Sequence, residues 1–356
     1  MKKHNFFAGP AILPKEVMRQ ASKATLNFAD MGLSVLEISH RSKQFAAVLE
    51  EAESLTRELL EVSDDYAVLF LTGGASSQFY MSAMNLLAKD GTAAYVDTGA
   101  WSTKAIKEAK LFGNVEVLAS SKDKNYSYIP KRYKVPTDAT YLHLTSNNTI
   151  FGTQHNWWPA TDVPFVCDMS SDIFSRPLDI SRFGLIYAGA QKNLGPAGVT
   201  LVIVRKDLLG KVNREIPTML DYNTHIAKGS AFNTPPAFPI YVSMLTMRWI
   251  KSKGGVAEME KKNRSKANLL YKTIDNNPLF YGTAAKQDRS KMNVTFLLHN
   301  PDLTDKFLTA CDEAGCVGVK GHRSVGGFRA SIYNAMSRSS VKVLTEVMND
   351  FAEKHG

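Results

Sequence analysis

Leu185-Ile-Tyr-Ala-Gly-Ala-Gln-Lys192, followed by Asn193-Leu-Gly-Pro-Ala-Gly198, decides how the chain is to be read. A run of small and apolar residues ends on one charged side chain, just before a Gly/Pro turn. Rigid backbone therefore holds Lys192 at the mouth of a site. Pro164-Phe-Val-Cys-Asp168 repeats the pattern upstream with a carboxylate at its end. A lysine and an aspartate closing two nearby strands suit pyridoxal phosphate, the lysine forming a Schiff base and the aspartate keeping the pyridine nitrogen protonated. Read singly, Lys192 is equally a surface lysine beside a turn, and Asp168, with Ser170-Ser171 behind it, equally a helix cap.

Outward from this pair, apolar runs recur at Tyr66–Thr72, Ala93–Val96, Val115–Ala119, Tyr141–Thr145, Phe165–Cys167, Leu185–Ala188 and Val199–Arg205. Several are almost continuously apolar, as strands covered on both faces are. Between them lie helical stretches at 42–61, where Phe45, Val48, Leu49, Ala52, Leu55 and Leu59 recur at helical spacing, after Gln78 through Leu87, and at Ser102–Phe112. Strands alternating with helices predict an α/β domain built on a mostly parallel, seven-stranded sheet. After Pro239 the character changes: long helical stretches at Ile240–Lys253 and Ala257–Asn276, then a strand (Asn293–Leu298), a helix (Leu303–Ala314), a Gly-rich loop, a strand (Phe328–Tyr333) and a last helix (Ser339–Lys354). The expectation is a large domain over 15–254, a smaller α+β domain over 255–356 divided from it near Gly254-Gly255, and an N-terminal segment 1–14.

At 356 residues, with 44% hydrophobic and 22% charged residues, the composition is that of an ordinary globular protein. No apolar run reaches the ~18 residues of a membrane-spanning helix, and the start reads as no signal peptide. Cys167, Cys311 and Cys316 lack metal-ligand spacing, so the expected setting is reduced and cytoplasmic, with no metal. The net charge of +9 comes from scattered residues without an aromatic-interleaved stripe, which argues for small anions rather than nucleic acid.

Three further segments bear on chemistry. Gly73-Gly-Ala-Ser-Ser-Gln78 joins a strand to a helix, where backbone amides can cradle a phosphate; alone it is equally a plain turn. Trp101, after Asp97-Thr-Gly-Ala100, is either a stacking ring or a core residue. In Gly321-His-Arg-Ser-Val-Gly-Gly-Phe-Arg-Ala-Ser-Ile332, Arg323 and Arg329 flank a glycine pair and suit two anionic groups, surface salt bridges being the plainer reading.

Taken together these segments, with Asn5-Phe-Phe-Ala-Gly-Pro-Ala-Ile-Leu-Pro14, Glu37-Ile-Ser-His-Arg-Ser42, Asn233-Thr-Pro-Pro236 and the continuation Tyr333-Asn-Ala335, resemble the phosphoserine aminotransferases, in the class V branch of fold-type I pyridoxal-phosphate enzymes. The resemblance implies a glutamate-dependent aminotransferase acting on 3-phosphohydroxypyruvate in serine biosynthesis, and the related 4-phosphohydroxy-L-threonine reaction of pyridoxine biosynthesis as some relatives do. It implies Lys192 as the Schiff-base lysine, Asp168 on the pyridinium nitrogen and Trp101 stacked on the ring. Ala75, Ser76, Thr149 and Gln191 would bind the cofactor mostly around its phosphate, with Asn233 and Thr234 supplied across a homodimer. Arg329 would take the substrate α-carboxylate. His40, Arg41, His322 and Arg323 would take the distal anion, the first two also across the dimer. Ser76 stands where some members carry an arginine that helps bind substrate phosphate, and Ala8 where others carry serine. The nearest rival is another class V enzyme, such as an alanine or serine–glyoxylate aminotransferase, which would not need a phosphate-binding His-Arg pair. A cysteine desulfurase using Cys316 is a different chemistry on the same fold, and the surroundings of Cys316 do not resemble that family's catalytic loop.

Overall fold

The seven apolar runs become the seven strands of one sheet: Tyr66–Leu71 (β1), Thr92–Asp97 (β2), Asn114–Ser120 (β3), Leu142–Thr145 (β4), Phe165–Asp168 (β5), Phe183–Gly189 (β6) and Thr200–Arg205 (β7). The computed structural model describes residues 2–356, so Met1 of the expected N-terminal segment lies outside the described residues. The strand order is β1-β7-β6-β5-β4-β2-β3, and β7 alone runs antiparallel, against both its neighbours. This is the mostly parallel sheet the sequence predicts.

Strand periodicity sends alternate side chains to opposite faces. Val68 and Phe70 join one apolar cluster with helices Lys15–Leu26 (α1) and Lys43–Leu60 (α2), while Ala67, Leu69 and Leu71 join another with Gly74–Leu86 (α3) and Ala100–Ala109 (α4). Both faces are covered, which is why β1 is buried throughout. The edge strand β3 is mostly open to solvent. In α2, Phe45, Val48, Ala52, Leu55 and Leu59 are buried along one stripe, each large side chain contributing about 1.5–3 kcal/mol. Ser42 caps the helix by accepting a hydrogen bond from the Phe45 amide at 3.3 Å.

A short helix, Tyr222–Ala227 (α5), precedes Ala237–Ser252 (α6) and Gly255–Asn276 (α7). Gly254 and Gly255 both have positive φ (94° and 74°), the conformation that breaks the chain between these two long helices. Beyond lie Phe280–Gly282 (β8), Asn293–Leu298 (β9), Thr304–Glu313 (α8), Phe328–Ser331 (β10) and Arg338–His355 (α9). The strands β8-β9-β10 form an antiparallel sheet whose apolar side packs with α7, α8 and α9 into a separate cluster containing Phe6 of the N-terminal segment. His4–Asn5 pairs in parallel with Cys316–Val317, tying that segment to the C-terminal part of the chain.

Candidate active site

In an open α/β sheet ligands bind beyond the carboxyl ends of the strands. Asp168 is the last residue of β5, and Lys192 lies three residues past the end of β6. Asp168 is buried, and its Oδ1 accepts two hydrogen bonds from Ser170, from the amide at 2.9 Å and from Oγ at 2.7 Å. Among the described residues nothing donates to Oδ2. Burial raises the Asp168 pKa above the ordinary carboxylate value, opposed by the Lys192 charge and the Ser170 bonds. Behind it Asp172 accepts hydrogen bonds from Ser146 Oγ, Gln154 and Arg176, which fixes the turn that carries Asp168.

Lys192 is half-buried, and its Nζ stands 5.2 Å from the centroid of the Trp101 ring. Burial lowers its pKa, with Arg329 acting in the same direction and Asp168 and Asp172 opposing. Trp101 is positioned in turn. The helix expected from Ser102 begins at Ala100, because Ser102 Oγ accepts from the amides of Thr98 and Gly99 and folds the chain into its first turn two residues earlier. The indole Nε1 donates to Thr149 Oγ1 at 3.2 Å. Thr149 is buried, and its carbonyl accepts from Arg329 Nη1 at 2.9 Å. Arg329 lies on β10, so this contact joins the small sheet to the segment that follows β4. Among the described residues its Nε has no acceptor and its guanidinium no acidic partner.

His322 stands beside this cation. Its Nδ1 accepts from the Ser324 amide at 3.2 Å and pairs with Ser324 Oγ at 2.7 Å, which leaves Nε2 to carry the proton of the neutral ring. Burial and the cationic neighbours Arg329, Arg323 and Lys104 lower its pKa. Lys104 is a residue the sequence reading missed. Its ammonium lies 4.6 Å from the Trp101 centroid, one helical turn after that residue. The signal available for it was the i, i+3 spacing on α4.

Ala75 and Ser76 occupy the first turn of α3, whose leading amides have no intrahelical acceptor. Gly73 caps that turn at φ 92°, and a Cβ there would meet Ser77 Oγ at 2.1 Å. Gln191 is half-buried beside Lys192, and its carbonyl accepts from the Ala11 amide at 2.9 Å. Other expected residues are not brought into this group within one chain. Asn233 and Thr234 are exposed, with Asn233 at the rim of a cavity of about 150 Å³ shared with Gly73 and Ser77. Arg41 is exposed and His40 half-buried on the turn before α2, and neither hydrogen-bonds to the Lys192 cluster.

The donor set fits pyridoxal phosphate. Lys192 presents an amine, Asp168 an unengaged carboxylate oxygen, Trp101 a flat face, and α3 an anion-binding terminus. Cys316 does not suit sulfur chemistry: it is buried, and burial pushes its thiol up to about 11.

Comparison with known proteins agrees. The family model of class V aminotransferases matches residues 4–344, and the chain belongs to that family of pyridoxal-phosphate enzymes. Within it, the chain's relatives are the phosphoserine aminotransferases. It is 61% identical to the phosphoserine aminotransferase of Flavobacterium johnsoniae, over 99% of this chain and all of the relative. The solved phosphoserine aminotransferase of Bacillus circulans subsp. alkalophilus superposes with a TM-score of 0.97 at 46% identity, covering 100% of this chain and 99% of that one. The pyridoxal-phosphate-bound phosphoserine aminotransferase of Trichomonas vaginalis gives 0.93 at 36% identity, covering 98% and 100%. The chain is thus a pyridoxal-phosphate-dependent aminotransferase of fold type I.

Proposed function

We propose that the chain transfers the amino group of L-glutamate to 3-phosphohydroxypyruvate, giving O-phospho-L-serine and 2-oxoglutarate. The observation that carries this reading is the pair of cationic sites around one amine. Arg329, with no acidic partner among the described residues, is near enough to Lys192 to lower its pKa, and Arg329, Arg323 and Lys104 together act on His322, with Lys104 on the same Trp101 ring as Lys192. Each of these substrates carries an α-carboxylate and a second anion. Arg329 takes the α-carboxylate, as a planar guanidinium does. His322, Arg323 and Lys104 take the distal phosphate or γ-carboxylate, with His40 and Arg41 of the partner subunit completing that end of a homodimeric site. Lys104 supplies charge on the side where Ser76 offers none. 4-Phosphohydroxy-L-threonine has the same two anions, and the same site accommodates it. Residues 15–254 then form the cofactor-bearing domain, and 255–356 a smaller one that carries the substrate cations. The cytoplasm is the compartment proposed for this reaction.

Bound pyridoxal phosphate supplies a carbonyl for amine exchange and an electron-accepting ring. Asp168 would accept the ring N–H and keep it protonated. Trp101 would stack on the ring face. Ala75, Ser76, Thr149 and Gln191 would hold the cofactor, mostly around its phosphate, with Asn233 and Thr234 reaching that phosphate across the interface. Lys192 would act as nucleophile and base: its Nζ would take the proton from the substrate α-carbon and deliver it to the cofactor's side, since returning it to the same carbon would transfer nothing. A lysine at its solution pKa of about 10.4 is almost wholly protonated near neutrality, so the lowering by burial and Arg329 favours the form that works.

The test is the visible absorbance band of the holoenzyme titrated with O-phosphoserine and, separately, with serine. The band is expected to bleach with micromolar to millimolar O-phosphoserine, to return on adding 2-oxoglutarate, and to respond to serine only at far higher concentration. Equal response to serine would overturn the substrate assignment.

A further inference from the structure

Lys266 is a fully buried lysine on α7 that the chemistry above does not use. Its Nζ donates to two backbone carbonyls, Ile332 at 2.8 Å and Tyr333 at 2.6 Å, and it has no carboxylate partner among the described residues. Burial and Lys262, one turn earlier on the same helix, pull its pKa down to about 7. An ammonium without a counter-ion is a costly way to fill a core. Both protonation states nevertheless keep at least two N–H donors for the two acceptors, so these contacts do not depend on its charge.

The carbonyls belong to the residues directly after β10, the strand that carries Arg329. The same three-residue stretch makes several of the connections around the site. Ile332 donates its amide to the Met292 carbonyl at 2.8 Å. Tyr333 is buried; its hydroxyl donates to the Ala8 carbonyl at 2.6 Å and accepts from Asn293 at 3.1 Å. The Asn334 amide donates to Asn193 Oδ1 at 2.9 Å, on the residue next to Lys192. Asn263, one turn before Lys266 on α7, donates to Asn334 Oδ1 at 2.7 Å. From α7, therefore, two adjacent side chains grip the stretch that links Arg329, the N-terminal segment and the Lys192 turn.

We infer that Lys266 is a positioning residue: through the carbonyls of Ile332 and Tyr333 it sets the distance and orientation between Arg329 and Lys192. The inference rests on the reading of Arg329 as the α-carboxylate ligand. It is tested with two variants of the full-length holoenzyme. K266M keeps the volume and removes the donors; K266Q is neutral but keeps two N–H donors. The expected result is that K266M raises KM for both glutamate and the keto-acid substrate by about tenfold, with kcat changed far less, while hydrogen–deuterium exchange rises over residues 328–334 and not across the large sheet. K266Q is expected to stay within about threefold of the wild type in KM. Unchanged KM in K266M, an equal KM rise in both variants, or exchange that rises everywhere would each overturn the inference. If K266M does not fold, K266Q decides alone by the same threshold, and failure of both to fold would make Lys266 a folding residue instead. R329A separates the two readings: if it leaves KM unaltered, the Arg329 assignment falls. If it raises KM and K266M does not, only the role of Lys266 falls.

Discussion

Lys192 can act only where its amine is neutral and its target is held in line, and the residues around it divide these tasks. Burial and Arg329 favour the neutral amine, and Trp101 and Asp168 define the plane in which it acts. Lys192→Ala is therefore expected to abolish turnover and the visible cofactor band together; retained turnover would remove it from the mechanism. Arg329→Ala deletes the charge-assisted contact proposed for both substrates. Such a contact is worth about 1.5–3 kcal/mol, so KM for glutamate and for the keto acid should each rise by roughly 10- to 100-fold. A rise for only one of them would show that the two half-reactions do not share a carboxylate site. A different residue-scale consequence concerns acid stability. His155 is buried, and burial first and Arg176 second hold its pKa down to about 3. The folded chain thus keeps this ring neutral, while the unfolded chain protonates it near 6.5. Its contribution is complete above about pH 6.5 and is lost as pH falls from there towards 3, at about 1.4 kcal/mol per pH unit. His155→Phe preserves a ring against Trp158, on which His155 stacks at 5.8 Å, and removes the proton. The slope of unfolding free energy against pH between 6 and 4 should flatten by about that amount, and an unchanged slope would contradict the assignment.

Among the elements, α3 depends most on one residue. Gly73 caps it at φ 92°, and any Cβ there meets Ser77 Oγ. Gly73→Ala should cost roughly 1–2 kcal/mol from the left-handed backbone alone. It should also weaken retention of pyridoxal phosphate on dialysis, because the amides of Ala75 and Ser76 move with the turn. Adding Ser77→Ala removes the Oγ contact but leaves the Ser77 Cβ at 2.7 Å and the backbone cost untouched, so only partial recovery of stability is expected; full recovery would mean the backbone conformation is unimportant. These elements also show what the sequence could convey. All seven strands of the large sheet were legible because a short apolar run bounded by helices and turns fits a strand covered on both faces and little else. The end of β5 at Asp168, and the turn past the end of β6 that carries Lys192, were legible for the same reason. The helix α1 was not: it buries Val17, Ala21 and Ala24, two of them alanines, and leaves Met18 and Leu26 exposed, so its apolar pattern points the wrong way. The strand β8 has three residues, too few for a period to register. Lys104 was hidden by the start of α4, since a helix read from Ser102 leaves Trp101 outside and conceals the turn that joins the two.

At the scale of the whole molecule, the proposed site is not assembled within one chain. His40 and Arg41 sit on the turn before α2, bonded to none of the residues around Lys192, and Asn233 and Thr234 are exposed. Leu33 and Leu36, in the segment leading to His40, are 46% and 64% exposed, and Phe232, next to Asn233, is 39% exposed. Large exposed apolar side chains flanking exposed polar residues are what a shared interface requires. The expectation is an isologous dimer in which each site takes its Lys192 from one chain and its Arg41 from the other. Mixing two inactive variants tests this without any structure of the complex. In a heterodimer of K192A and R41A chains, one site carries both lesions. The other pairs the Lys192 of the R41A chain with the Arg41 of the K192A chain and is intact. After random subunit exchange half the dimers are mixed, so roughly a quarter of wild-type activity should appear from two preparations that separately have little. If Arg41 serves its own chain, every site keeps one lesion whatever its partner, and mixing restores nothing.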